Sequence, residues 1–219
     1  MKSRMAILAT LLASVVVFRG WGQEVRSAEN DLIVHEWGTF TSMQGSDGIT
    51  LEGLHHEEEA LPPFVQNYAK ATGDLVRDGM IKKGIRADIV HVTEKMETPV
   101  TYFYTAHPQK VLAKVVLNRG LLTQWYPSAE LRGANGGRMA PGLVDMSRIE
   151  KSSLEWEVDI LPPGQGLSNV PKVAEDNAWQ FARLPDSNAV RAKGTETEKF
   201  LFYRGLGLFT LPLKAKTEP

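Results

Sequence analysis

The chain has 219 residues, with 25 lysines and arginines against 26 aspartates and glutamates, and no cysteine. That length builds a sizeable core. The near-neutral charge excludes the basic field that a nucleic-acid binder needs, and the missing thiol excludes disulfides, thiol catalysis, iron–sulfur clusters and Cys-ligated zinc.

The first 22 residues read as a cleaved export signal. Lys2 and Arg4 give a positive start, Met5 to Phe18 is uncharged and mostly apolar, and Gly20-Trp21-Gly22 offers a small-x-small cleavage site. The run is shorter than the roughly 20 apolar residues of a membrane span. Cleavage near Gln23 leaves 197 residues, with three basic residues fewer and a net charge of −4. No second apolar run is long enough to span, so the expected product is a soluble protein of the periplasm or the extracellular space. Residues 23–219 are expected to form a single mostly β domain.

The dominant period of the mature chain is two. Strands are expected over Leu32 to Thr41, Asp88 to Glu94, Val100 to Tyr104 and Val111 to Leu117. Asn118-Arg119-Gly120 reads as a tight turn into a strand over Leu121 to Tyr126. Ser153 to Ile160 alternates Leu154, Trp156, Val158 and Ile160 with Glu155, Glu157 and Asp159, which predicts one buried and one wet face. Further strands are expected over Phe200 to Tyr203 and Leu208 to Leu213. Phe64 to Lys83 carries the one helical spacing, interrupted by Gly73. Pro185 to Glu198 is polar and weakly patterned and reads as a mobile loop. Short strands between Gly and Pro turns predict an antiparallel β-sandwich with at most one short helix.

His55-His56-Glu57-Glu58-Glu59 is the densest set of metal-ligand side chains. His55 and Glu59 would share a helical face, whereas adjacent residues on a strand point apart. A metal-dependent hydrolase would recruit His35, His55, His56, Glu59 and His91, with Glu36 as a further donor. The spacing matches no zinc motif, and His55 to Glu59 is expected to be a solvated acidic loop rather than a metal site. His35 ends an apolar strand, where the expected state is a buried, hydrogen-bonded imidazole. Trp37 and Phe40 are expected in the core, His91 on a strand face shared with Ile89 and Thr93, and His107 in a solvated turn. Trp37, Trp125 and Tyr126 are the candidates for a platform that stacks sugar rings. No cofactor is called for, and a divalent metal belongs to the hydrolase alternative alone. G-x-S-x-G, G-x-G-x-x-G and Walker motifs are all absent from the sequence.

Val34 to Ser42 (VHEWGTFTS), Lys95 to Tyr104 (KMETPVTYFY) and Glu198 to Gly207 (EKFLFYRGLG) resemble a family of uncharacterised exported bacterial proteins, and Leu121 to Pro127 fits the same pattern. The resemblance implies export from a bacterial cell and brings no activity or site residue with it. The expected function is a binding or structural module of the cell envelope, its partner an envelope component or a glycan. The two alternatives are the metal-dependent hydrolase and a carbohydrate-binding sandwich.

Overall fold

The computed structural model describes residues 6–11, 14–20, 32–52, 54, 61–68, 71, 88–133, 138–140, 143–192 and 194–209. The architecture is mostly β and antiparallel, with two large sheets packed face to face. In the first sheet, β1 (Ala6–Leu11) and β2 (Ser14–Gly20) precede β9 (Gln109–Asn118), followed by β14 (Lys151–Ile160), β15 (Val190–Ala192) and β16 (Thr197–Glu198). The short β11 (Glu130–Gly133) also pairs with β14. The second sheet runs β3 (Ile33–Trp37), β8 (Val100–Tyr104), β17 (Leu201–Gly207), β10 (Gly120–Tyr126) and β5 (Gln66–Asn67). The pair β4 (Phe40–Thr41) and β7 (Glu94–Met96) joins it through β17. A small third sheet holds β6 (Asp88–Val90), β12 (Arg138–Ala140) and β13 (Leu143–Asp145). Helix α1 (Trp179–Ala182) is four residues long.

Alternation places the core. Val111, Ala113, Val115 and Leu117 of β9 and Leu154, Trp156, Val158 and Ile160 of β14 face one way. They meet Met96, Phe103, Leu122, Trp125, Leu201 and Tyr203 of the second sheet. On the wet face of β14, Glu155 pairs with Lys114 of β9 and Asp159 with Arg191 of β15.

The expected strands are present, with adjustments. Leu32 to Thr41 divides into β3 and β4, and Asp88 to Glu94 divides into β6 and β7 around a bend. The tight turn at Arg119 exists, with φ of 56°. It passes the chain from β9 in one sheet to β10 in the other. Gly120 permits this crossing, since a Cβ there would stand 2.7 Å from Cβ of Leu117. Leu208 and Phe209 continue past β17 without a strand, and residues 210–213 lie outside the described residues. Most of the expected helix over Phe64 to Lys83 lies outside them too, although Tyr68 and Ala71 are helical. The two N-terminal strands come from the run read as an export signal. They lie as a hairpin along β9.

The segment 185–198 corrects the expectation of a mobile loop. Ser187 to Val190, Thr197 and Glu198 are buried, and β15 and β16 extend the first sheet. Part of its polarity serves internal hydrogen bonds rather than water. The Asn188 side chain accepts from the Thr105 amide at 2.9 Å and donates to the carbonyls of Thr105 at 3.1 Å and Leu161 at 2.8 Å. Asn188→Ala orphans three half-buried backbone groups of Thr105 and Leu161 and is expected to cost about 2 kcal/mol, measured by urea unfolding.

Candidate functional site

The second sheet is apolar on both faces. Across its outer face, register aligns Trp37, Val100, Phe202 and Tyr126 in one row, and His35 with Tyr102 in the next. Most of this surface is roofed. Trp179 of α1 sits among Phe64, Tyr126, Phe200 and Phe202, with ring centroids 5.0–6.3 Å away. Val65 and Val173 close the same cluster.

The roof is pinned by a buried carboxylate. Glu198 accepts from the Trp179 indole at 2.9 Å, from Arg183 Nε at 3.0 Å and from the Lys199 amide at 2.8 Å. An Arg183 terminal nitrogen adds a contact of 2.6 Å, so this buried charge is paired and its lone pairs are used. The Tyr102 hydroxyl donates to the Ala182 carbonyl at 2.8 Å and fixes the roof's edge over β8. Burial pushes the Tyr102 hydroxyl up to about 12 and raises that of Tyr126 further, which keeps both neutral.

Beyond that edge the outer face is open. Among the described residues β3 is the last strand of the sheet, and its outward residues are Ile33, His35 and Trp37. Trp37 is 66% exposed and Ile33 51%. The three other described tryptophans, Trp125, Trp156 and Trp179, are buried. The His35 ring lies 5.1 Å from that of Tyr104, which continues the open surface onto β8. Phe181 and Leu184, at 69% and 76% exposure, flank the roof's end at Ala182. Gly38 then lets the chain fold over β8, because a Cβ there would lie 2.9 Å from Cα of Pro99.

The inner face of β3 carries Val34 and Glu36. The Tyr203 hydroxyl donates to Glu36 Oε1. Burial raises the Glu36 carboxyl above its ordinary range, and the Tyr203 hydrogen bond works against that rise.

The sequence candidates therefore scatter. His35 is exposed rather than buried, since the strand alternation turns Glu36 inward instead. Trp37 and Phe40 are exposed rather than core, because β3 and β4 lie at the margins of the second sheet. Trp125 and Tyr126 are adjacent on β10, so they point to opposite faces, and both are buried. The surface platform expected of Trp37, Trp125 and Tyr126 keeps only Trp37. His91 is in the bend between β6 and β7 with φ of 59°, not on a strand face. It is exposed, and its Nδ1 is 2.5 Å from a Glu52 oxygen, a bond that raises its pKa. His107 lies in an exposed turn, as expected. His55, His56 and Glu59 lie outside the described residues. Among the described residues, no three His, Asp or Glu side chains gather closely enough to hold a metal.

Two features carried no sequence signal. Ile33 and Tyr104 flank the open face, and only the strand order shows that β3 ends the sheet. Glu94 of β7 is wholly buried, and neither of its carboxylate oxygens has a hydrogen-bond partner. Burial alone lifts it to about 7.

Searches with this chain match no family model, no curated protein and no solved structure.

Proposed function

We propose that this is an exported binding module and that β3 is where it binds, by accepting an extended segment along its open edge. The observation that carries the reading is Trp37, held two-thirds exposed on an edge strand while the other described tryptophans are buried. Leaving an indole in water forgoes about 2 kcal/mol or more of burial. A partner that covers it recovers that energy. Strand addition supplies main-chain hydrogen bonds for affinity, and the outward side chains supply specificity.

Glycan stacking is the weaker reading, since only one of its three expected rings is exposed. The export half of the proposal rests on the charged and apolar start of the chain. Edge chemistry supports it: losing residues 1–22 opens β9, whose residues include Lys110 and Lys114. Lysines are what keep an exposed strand edge from pairing at random.

The test uses protein recovered from the periplasm, which should begin near Gln23. It is offered a displayed library of extended peptides and a panel of soluble polysaccharides. Peptides that blue-shift Trp37 emission, and are lost with Trp37→Ala or His35→Pro, are expected. A full-length chain held in the cytoplasm, or an emission shift with polysaccharides alone, overturns the proposal.

A further inference from the structure

We propose that the segment received by β3 is the β3 of a second copy of this chain, paired antiparallel about a two-fold axis through His35. The inference rests on the reading of β3 as the binding edge and names its partner.

Among the described residues the edge is unguarded. Natural sheets blunt a free edge with lysine, proline, a bulge or a covering element. β3 reads Ile33-Val34-His35-Glu36-Trp37, with no lysine and no proline. Its register with β8 runs unbroken over all five residues, so no bulge twists it away. Among the described residues, β8 is its one strand partner. An inward charge is another common guard, but the Glu36 carboxylate is already engaged by the Tyr203 hydroxyl within its own subunit.

The pattern on that edge is symmetric about its centre. Ile33 and Trp37 stand two residues either side of His35, and both are large, apolar and more than half exposed. A two-fold axis at His35 sets Ile33 of each copy against Trp37 of the other, on the outer face. Directly opposed side chains on one face are the stabilising unit of a sheet. Val34 meets Glu36 on the inner face, and His35 meets its own copy. This register pairs all five residues. An axis at Glu36 would oppose two carboxylates, and an axis at Val34 would leave Trp37 unpaired. The contact is isologous, so it closes at two copies and joins the two second sheets into one. A single strand pair buries less than a standard interface, so the expected affinity is micromolar to millimolar.

Sedimentation equilibrium of the mature protein, from micromolar to millimolar concentration, should show a monomer–dimer equilibrium. Trp37→Ala should weaken it about tenfold or more. His35→Lys and His35→Glu should each be monomeric, because each opposes like charges across the axis. Mixed together, they should restore a dimer. The chain has no cysteine, which permits an independent reading. Opposed strand residues have Cα atoms about 4.5–5.5 Å apart, within reach of a disulfide. Oxidised His35→Cys should therefore give a covalent dimer. Ile33→Cys alone should not, but should cross-link when mixed with Trp37→Cys. A wild-type protein monomeric to millimolar concentration, or a dimer indifferent to the charge swap and the cysteine pairs, overturns the proposal. Peptide capture by β3 that persists in a strictly monomeric protein would sink the second copy alone and leave the binding edge standing.

Discussion

Trp156→Ala should be the most damaging single substitution in the inter-sheet core, costing about 3–5 kcal/mol. The ring is 1% exposed and sits on β14, where it helps hold the two sheets together. Its indole also donates to the Pro127 carbonyl at 2.9 Å. Truncation therefore leaves a large cavity and an unpaired buried acceptor. Trp156→Phe separates the two effects: it keeps most of the volume and should cost about 1–2 kcal/mol, chiefly for the orphaned carbonyl. On the other face of the same strand, Glu157 is exposed, and Glu157→Gln should stay within about 0.5 kcal/mol. Glu155 is less free, because Lys114 holds its carboxyl below the usual range by a direct hydrogen bond. Urea unfolding of the four proteins ranks them. Similar losses at positions 156 and 157 would mean that β14 does not alternate between core and solvent.

What the sequence made legible was period-two patterning. β14 alternates cleanly because one of its faces is core and the other carries charges, and such a strand announces itself, whereas β9 places Leu112 and Val116 beside Lys110 and Lys114 on its second face. The blocks that suggested a family resemblance supply β3, β4, β7, β8, β10 and β17, which make up nearly all of the second sheet. What sequence could not give is strand order, and strand order decides which side chains are left in water. Ile33-Val34-His35-Glu36-Trp37 reads as core wherever β3 is central and as a surface wherever it is an edge. The same ambiguity hid Trp125 and Tyr126. Both faces of the second sheet are apolar, so adjacent aromatics can both be buried, one between the sheets and one beneath α1. Asn188 shows the converse case. A polar residue in a weakly patterned stretch looks solvated until the backbone groups it satisfies come into view.

Glu94 should make the protein less stable as pH rises. Its carboxyl lies on the inward face of β7, two residues from Met96 in the core. It stands in register with Gly207, over which the Phe209 ring packs. Neither oxygen has a hydrogen-bond partner, and burial lifts the group to about 7 from 4.5. With no cation beside it among the described residues, the buried acid is accommodated by staying protonated. The sign follows from that rise. Below about pH 4.5 the group is protonated whether the chain is folded or not, and stability carries no penalty from it. Between about 4.5 and 7 the unfolded chain releases the proton and the folded chain does not, so stability falls. Above about 7 the loss is complete, at about 3 kcal/mol. Glu36 and His91, whose values are also raised, tilt the curve the same way. Glu97, Asp145 and Glu155 are held low by their partners, and their contributions disappear on acidification instead. Glu94→Gln removes one slope and keeps the rest. It should match the wild type to within about 1 kcal/mol at pH 4.5 and exceed it by about 3 kcal/mol at pH 8. Urea unfolding of both proteins across that range reads the difference directly. Two curves that run parallel from pH 4.5 to 8 would show that Glu94 is ionised in the folded protein, with a compensating partner in place.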